Sequence, residues 1–276
     1  MNLDGKVCVV TGAASGIGQQ MCVELARQGA TVIAVARDEA RAAGAVEEIK
    51  KLAGGAGKVE PLACDVSSIA SLKKAAAELT ARHPKLHLLV NNAAVFAKSR
   101  RLSPDGLELG FAVNTLAPFV LSRLLLDALK AGGHSRIVNM TMPTKAPMNF
   151  DDLQSEKKYA SIGGLQMTKG GSQYLTRGLA KRLAGSDVRV LCVTPGLTQS
   201  KLPSEAPFPL RLIFKLFGKT PQRGAVVPLS VCLDDQWKSG QFVDEKGRNA
   251  EYPSFIDAAA CDRLWNETAK LASLGA

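Results

Sequence analysis

The chain has 276 residues, a formal net charge of +10 at pH 7, 46% hydrophobic and 22% charged residues. That length buries a sizeable core in one large or two small domains, and the balance excludes a disordered, fibrous or membrane-embedded chain. Basic residues are spread along the sequence without a nucleic-acid-binding module, so the charge reads as solubility with some attraction for phosphate, and nucleic acid is not an expected partner.

No basic-then-apolar leader precedes the first apolar run, and no uninterrupted apolar run reaches spanning length. The expectation is a soluble cytoplasmic protein with no transmembrane segment. Cysteines 8, 22, 64, 192, 232 and 261 form no C-x-x-C pair and read as reduced, structural thiols. His83 and His87 stand four apart with Pro84 between them, which denies them a shared helical face, so no metal site is expected.

Strand and helix patterns alternate from the start. Lys6-Val7-Cys8-Val9-Val10-Thr11 reads as a strand buried on both faces, followed by a glycine-rich turn and a helix from about Gln19 to Gln28. Thr31–Val35 is a second strand, and Asp38 caps a helix that ends at Gly54-Gly55-Ala56-Gly57. A third strand runs from about Val59 to Cys64, with a helix after it through Ala81, and Leu86–Val90 is the fourth strand. Ser103-Pro104-Asp105 predicts the start of one long apolar helix over 104–131, a possible homodimer face. Arg136–Met140, a helix from about Ile162 to Ala184, and Val188–Val193 come next. A last strand near Gly240–Val243 and a helix around Ala258–Ala272 close the pattern. No linker or repeat interrupts it. The expectation is an α/β fold: a single doubly wound Rossmann domain over 1–276, with a parallel sheet of about seven strands flanked by helices.

In that topology ligands collect beyond the carboxyl ends of the strands. Gly12, Ser15, Gly16, Ile17 and Gly18 are placed to hold a pyrophosphate, because glycines let backbone N–H groups and a helix N-terminus approach it. After the second strand, where an NAD site wants a carboxylate, the chain has Ala36 and then Arg37. That pair favours NADP(H), since a guanidinium pairs with phosphate.

The Thr-Gly-x-x-x-Gly-x-Gly spacing of Thr11–Gly18 resembles the short-chain dehydrogenase/reductase family. Phe150-Asp151-Asp152-Leu153-Gln154, Tyr159, Lys219-Thr220-Pro221, Gly224-Ala225 and Arg37-Asp38-x-x-Arg41 are similar to its retinol-dehydrogenase-like branch, across essentially the whole chain. The resemblance implies that Asp65 and Val66 meet the adenine. It puts Asn91 and Ala93 along the cofactor, and Pro195, Gly196 and Thr198 at the nicotinamide carboxamide. Lys169 then reaches the ribose hydroxyls and Asn114 belongs to the proton relay. It also implies a substrate lid over about 197–223, where Phe208, Leu210, Leu212, Ile213, Phe214, Leu216 and Phe217 interleave with Arg211, Lys215 and Lys219. A small but bulky apolar substrate follows from it.

At two catalytic positions the chain departs from the family. The tyrosine four residues before the lysine is Leu165, and the serine after the fifth strand is Met142. Tyr159 and Tyr174 have Gly163 and Gly178 four residues on, so neither replaces it. The expected activity is an NADP(H)-dependent oxidoreductase with a departed active site. The alternatives are a non-redox enzyme of cyclase or isomerase type on the same scaffold, and a non-catalytic NADP(H)-binding protein.

Overall fold

The computed structural model describes residues 3–199 and 208–275, with the side chains of 208–211 left out. The elements are β1 (Val7–Thr11), α1 (Gly16–Arg27), β2 (Thr31–Ala36), α2 (Glu39–Ala53), β3 (Lys58–Ala63), α3 (Ile69–Arg82) and β4 (Leu88–Asn91). They are followed by α4 (Leu109–Leu124), α5 (Leu126–Gly132), β5 (Arg136–Met140), α6 (Ser161–Arg182) and β6 (Arg189–Val193). The chain ends with α7 (Phe208–Phe217), α8 (Pro221–Leu233), β7 (Phe242–Val243), β8 (Asn249–Ala250) and α9 (Ala258–Leu271).

One sheet runs in the order β3-β2-β1-β4-β5-β6-β7-β8. Every pair in it is parallel except β7–β8. Among the described residues the sheet has eight strands, where about seven were expected. The extra one is the two-residue β8, which turns back on β7 and is too short to leave an apolar pattern. The strand residues alternate between two cores, as the pleat requires. Val9, Ile33, Leu89, Ile137 and Val190 face α3, α4, α6 and α9. Val10, Val32, Ala34, Val90, Val138 and Leu191 face α1, α2 and α8. The order reverses between β1 and β4, which opens a crevice beyond their carboxyl ends.

Two predicted boundaries change. Asp38 caps α2 through Arg41 N (2.8 Å), as read from the sequence. The long helix, by contrast, starts at Leu109, not at Pro104. Gly106, at φ +75°, turns the chain after Ser103. The Asp105 carboxylate accepts from Ile69 N (2.7 Å), at the start of α3. The expected cap, Ser103, instead closes this local turn, its Oγ accepting from Asp105 N (3.2 Å) and Leu107 N (3.3 Å). Glu108 does the work for α4, accepting from Gly110 N (2.8 Å) and Phe111 N (2.6 Å). The run then widens into π turns over Ala112–Leu116 and breaks before α5, so the stretch 104–131 is two helices with a 56° bend. Its apolar residues, among them Phe111, Leu116, Phe119 and Val120, lie in the core. Among the described residues no single helix is long and apolar enough to cross a membrane.

Candidate functional site

A cavity of about 670 Å³ lies at the reversal of strand order. At its β1 end the glycines are explained by close approach. Gly12 and Gly16 have φ of +69° and +63°, a region that L side chains rarely adopt. A Cβ on Gly18 would sit 2.4 Å from Asn92 Nδ2 and 2.5 Å from Gly12 O. Gly18 is absent from the cavity wall. It closes the turn by packing, while Gly12, Ser15, Gly16 and Ile17 line the space. Ser15 makes no side-chain cap and the first turn of α1 carries no acid, so its N–H groups and positive dipole end are open to an anion.

Arg37 and Arg41 stand at the cavity beyond the buried Ala36, Arg41 in an ion pair with Asp38 (3.2 Å). Asp65, Val66, Ala93, Pro195 and Gly196 also line it. Asp65 Oδ1 accepts from Ser67 N (3.0 Å) and Ser67 Oγ (2.7 Å), which fixes the loop after β3.

Asn91 and Thr198 do not line the wall. The Asn91 amide donates to Asn139 Oδ1 (2.8 Å) inside the sheet, and buried Thr198 donates to Gly196 O (3.3 Å). The neighbouring Asn92, which the sequence did not single out, holds the crevice together. Its amide donates to Thr11 O (2.8 Å), and its backbone N–H donates to Thr11 Oγ1 (2.9 Å). Successive residues leave a strand on opposite sides, so one asparagine of the pair turns inward and the other meets the turn.

At the β5 end, Lys169, Leu165 and Met142 line the same cavity. Lys169 and Leu165 lie one helical turn apart on α6 and share a face. Lys169 is 6% exposed, and its ammonium makes no hydrogen bond or ion pair to the described residues. Burial lowers its pKa to about 8. Behind it α6 is pinned closely. Thr115 donates to Thr168 O (2.6 Å), Thr141 to Lys169 O (2.9 Å), and Gln173 Nε2 to Met142 O (2.8 Å). A Cβ on Gly171 would lie 2.5 Å from Thr115 Oγ1, and one on Gly170 3.0 Å from Thr144 Cβ. The two glycines after the lysine let α6 come this near.

Leu109, Val113, Phe96, Pro143, Leu197 and Phe214 complete an apolar wall. Asn114 is buried behind it in the π turns. It accepts from Val95 N (2.9 Å) and donates to Val95 O (3.0 Å) and Thr168 Oγ1 (3.0 Å). Tyr159 donates to Ala97 O (2.8 Å), and the Tyr174 hydroxyl accepts from Met148 N (3.2 Å). Neither phenol lines the cavity. Glu245, from the loop between β7 and β8, does line it, and no signal in the sequence placed it there. Of the expected lid, 200–207 lies outside the described residues. What is described is tied to the cavity wall, with Gln199 N donating to Lys219 O and Lys219 N to Leu197 O (both 2.9 Å).

Comparison with known proteins agrees with this geometry. Residues 6–207 match the family described as short chain dehydrogenase. Mouse retinol dehydrogenase 14 is 34% identical, over 96% of this chain and 85% of its own. Human retinol dehydrogenase 12 is 34% identical, over 98% and 87%. A metagenomic short-chain oxidoreductase solved in complex with NADP superposes with a TM-score of 0.66 at 29% identity, covering 88% of this chain and 99% of that one. An uncharacterized protein from Mycobacterium paratuberculosis gives 0.80 at 26% identity, covering 99% and 95%. With its glycine turn, switch-point cavity and buried lysine in place, the chain belongs to the short chain dehydrogenase family of oxidoreductases.

Proposed function

We propose that this protein binds NADP(H) and transfers hydride to or from a bulky apolar substrate, in a site that has lost both hydroxyls that normally meet a carbonyl oxygen. The residues present fit the cofactor. The Gly12–Gly16 turn and the open start of α1 suit a pyrophosphate, and Arg37 and Arg41 suit a ribose phosphate. Lys169, buried with its ammonium unpaired among the described residues, suits ribose hydroxyls. When bound, the nicotinamide supplies or accepts the hydride.

The observation that carries the rest is the pairing of Leu165 and Met142 beside Lys169 on the cavity wall. Neither side chain can donate a proton. Thr141, the serine's possible substitute, lines the cavity beside Met142, although adjacent strand residues were expected on opposite faces. Its hydroxyl donates to Lys169 O (2.9 Å). A general acid is typically worth about 10²–10⁴ in rate, and an oxyanion donor about 10²–10³. A simple ketone, whose oxygen must be protonated as it is reduced, is poorly served here. An iminium, or a double bond conjugated to a carbonyl that takes its proton from water, suits the corner better. The apolar wall of Leu109, Val113, Phe96 and Phe214 supports a large hydrophobic ligand. Six buried free thiols support a reducing compartment such as the cytoplasm.

The test is NADPH consumption by the purified chain over apolar iminium ions, enones, quinones and ketones. Turnover of the first classes with slow ketones is expected. Silence on all of them, with NADPH bound, favours the non-catalytic reading of the same corner.

A further inference from the structure

Helix α7 presents different chemistry on different sides. Phe214 points into the cavity. On the outer arc Leu212 is 41% exposed, Ile213 44%, Leu216 63% and Phe217 74%. Four large apolar side chains on three turns of helix are costly to leave in water. Between Ala206 and Leu233 the sequence carries Arg211, Lys215, Lys219 and Arg223 and no acidic residue. Lys215 is exposed, as is Arg223 at the start of α8. The helix is also firmly seated. A Cβ on Gly218 would lie 2.3 Å from Phe214 O and 2.9 Å from Gln199 N, and Gln199 Nε2 donates to Lys215 O (2.9 Å).

We propose that the outer face of α7 docks on an anionic lipid surface, with Leu212, Ile213, Leu216 and Phe217 in the acyl boundary and the exposed Lys215 and Arg223 among the headgroups. An apolar arc bordered by cations is the pattern of an interfacial helix, and the positive charge of the segment complements an anionic leaflet. A second copy of the chain fits the face less well. A two-fold contact sets a patch against itself, and here that opposes cations with no acid in the segment to receive them. Docking concerns the outer face of α7, so it holds whether or not redox chemistry survives in the cavity.

The experiment is co-flotation of the full chain with vesicles of phosphatidylcholine alone and with about one third phosphatidylserine, alongside sedimentation velocity without lipid. Binding to the phosphatidylserine vesicles that weakens in high salt is expected. The exposed double change Leu216→Ser with Phe217→Ser should lower partitioning at least tenfold, and Lys215→Gln about fivefold. Each variant should keep its NADPH affinity. Equal binding to neutral vesicles, no binding to either, or a dimer that the serine variant dissociates would each overturn the proposal.

Discussion

The two ends of the cavity are built from different materials. At the β1–α1 end the wall is backbone: positive-φ glycines, an open helix terminus and loops fixed by Asn92, Thr11 and Asp65, with arginines at the rim. At the β5–α6 end the wall is side chain, and apart from Lys169 the groups of α4, α6 and α7 there are apolar. A backbone cradle changes only if the fold changes. A side-chain corner can lose its polar groups one substitution at a time while the strand, helix and lysine stay in place. On the function proposed above, the difference makes nucleotide binding and proton transfer separable in this scaffold, because distinct residues would carry them.

Substitutions at each end sharpen that contrast. Arg37→Asp puts a carboxylate where a ribose phosphate is expected, and should weaken NADPH binding about tenfold to a hundredfold while leaving NADH unchanged or tighter. Competitive binding of the two nucleotides measures it.

Lys169→Met tests the link between the two ends. Burial brings the lysine from its usual 10.5 to about 8. Between those values the unfolded chain holds the extra proton, so this residue makes the fold less stable at pH 7 and the penalty fades as the pH rises through that window. The methionine variant should be more stable at pH 7, by up to about 3 kcal/mol, with the advantage shrinking toward pH 10, and should bind NADPH more weakly. Thermal melts at the two pH values, with and without nucleotide, read both effects.

Gly18→Ala should destabilise by about 1–3 kcal/mol through its contacts with Asn92 and Gly12, read in urea titrations. It should leave the apolar end untouched. Asp105→Ala removes an acceptor at the start of α3 and touches no residue that lines the β1 turn. It should lower the melting temperature by about 2 °C with no change in nucleotide affinity.

Much of the fold was legible because it depends on local period. Val9/Val10 and Val32/Ile33 belong to parallel strands, and the spacing of Thr11 to Gly18 has a geometric purpose that survives without knowledge of partners. What was hidden depends on long-range placement. Ser103 reads as the cap of a long helix and closes a local turn, while Asp105 beside it reaches across to the start of α3. Asn91 and Asn92 are chemically identical, and only the register of β4 decides which meets the turn. Glu245 reaches the cavity because the β7–β8 reversal carries it there, and a two-residue strand leaves no pattern. Leu165 and Met142 were legible through the spacing to Lys169 and the end of β5, and both reach the cavity wall.

The most direct test restores both hydroxyls. Leu165→Tyr with Met142→Ser is compared with the parent for NADPH affinity by calorimetry and for reduction of a bulky apolar ketone. The separation of the two ends predicts affinities within about twofold of each other and a rate at least about 10²-fold higher in the variant. Equal NADPH binding with no gain in rate would contradict it.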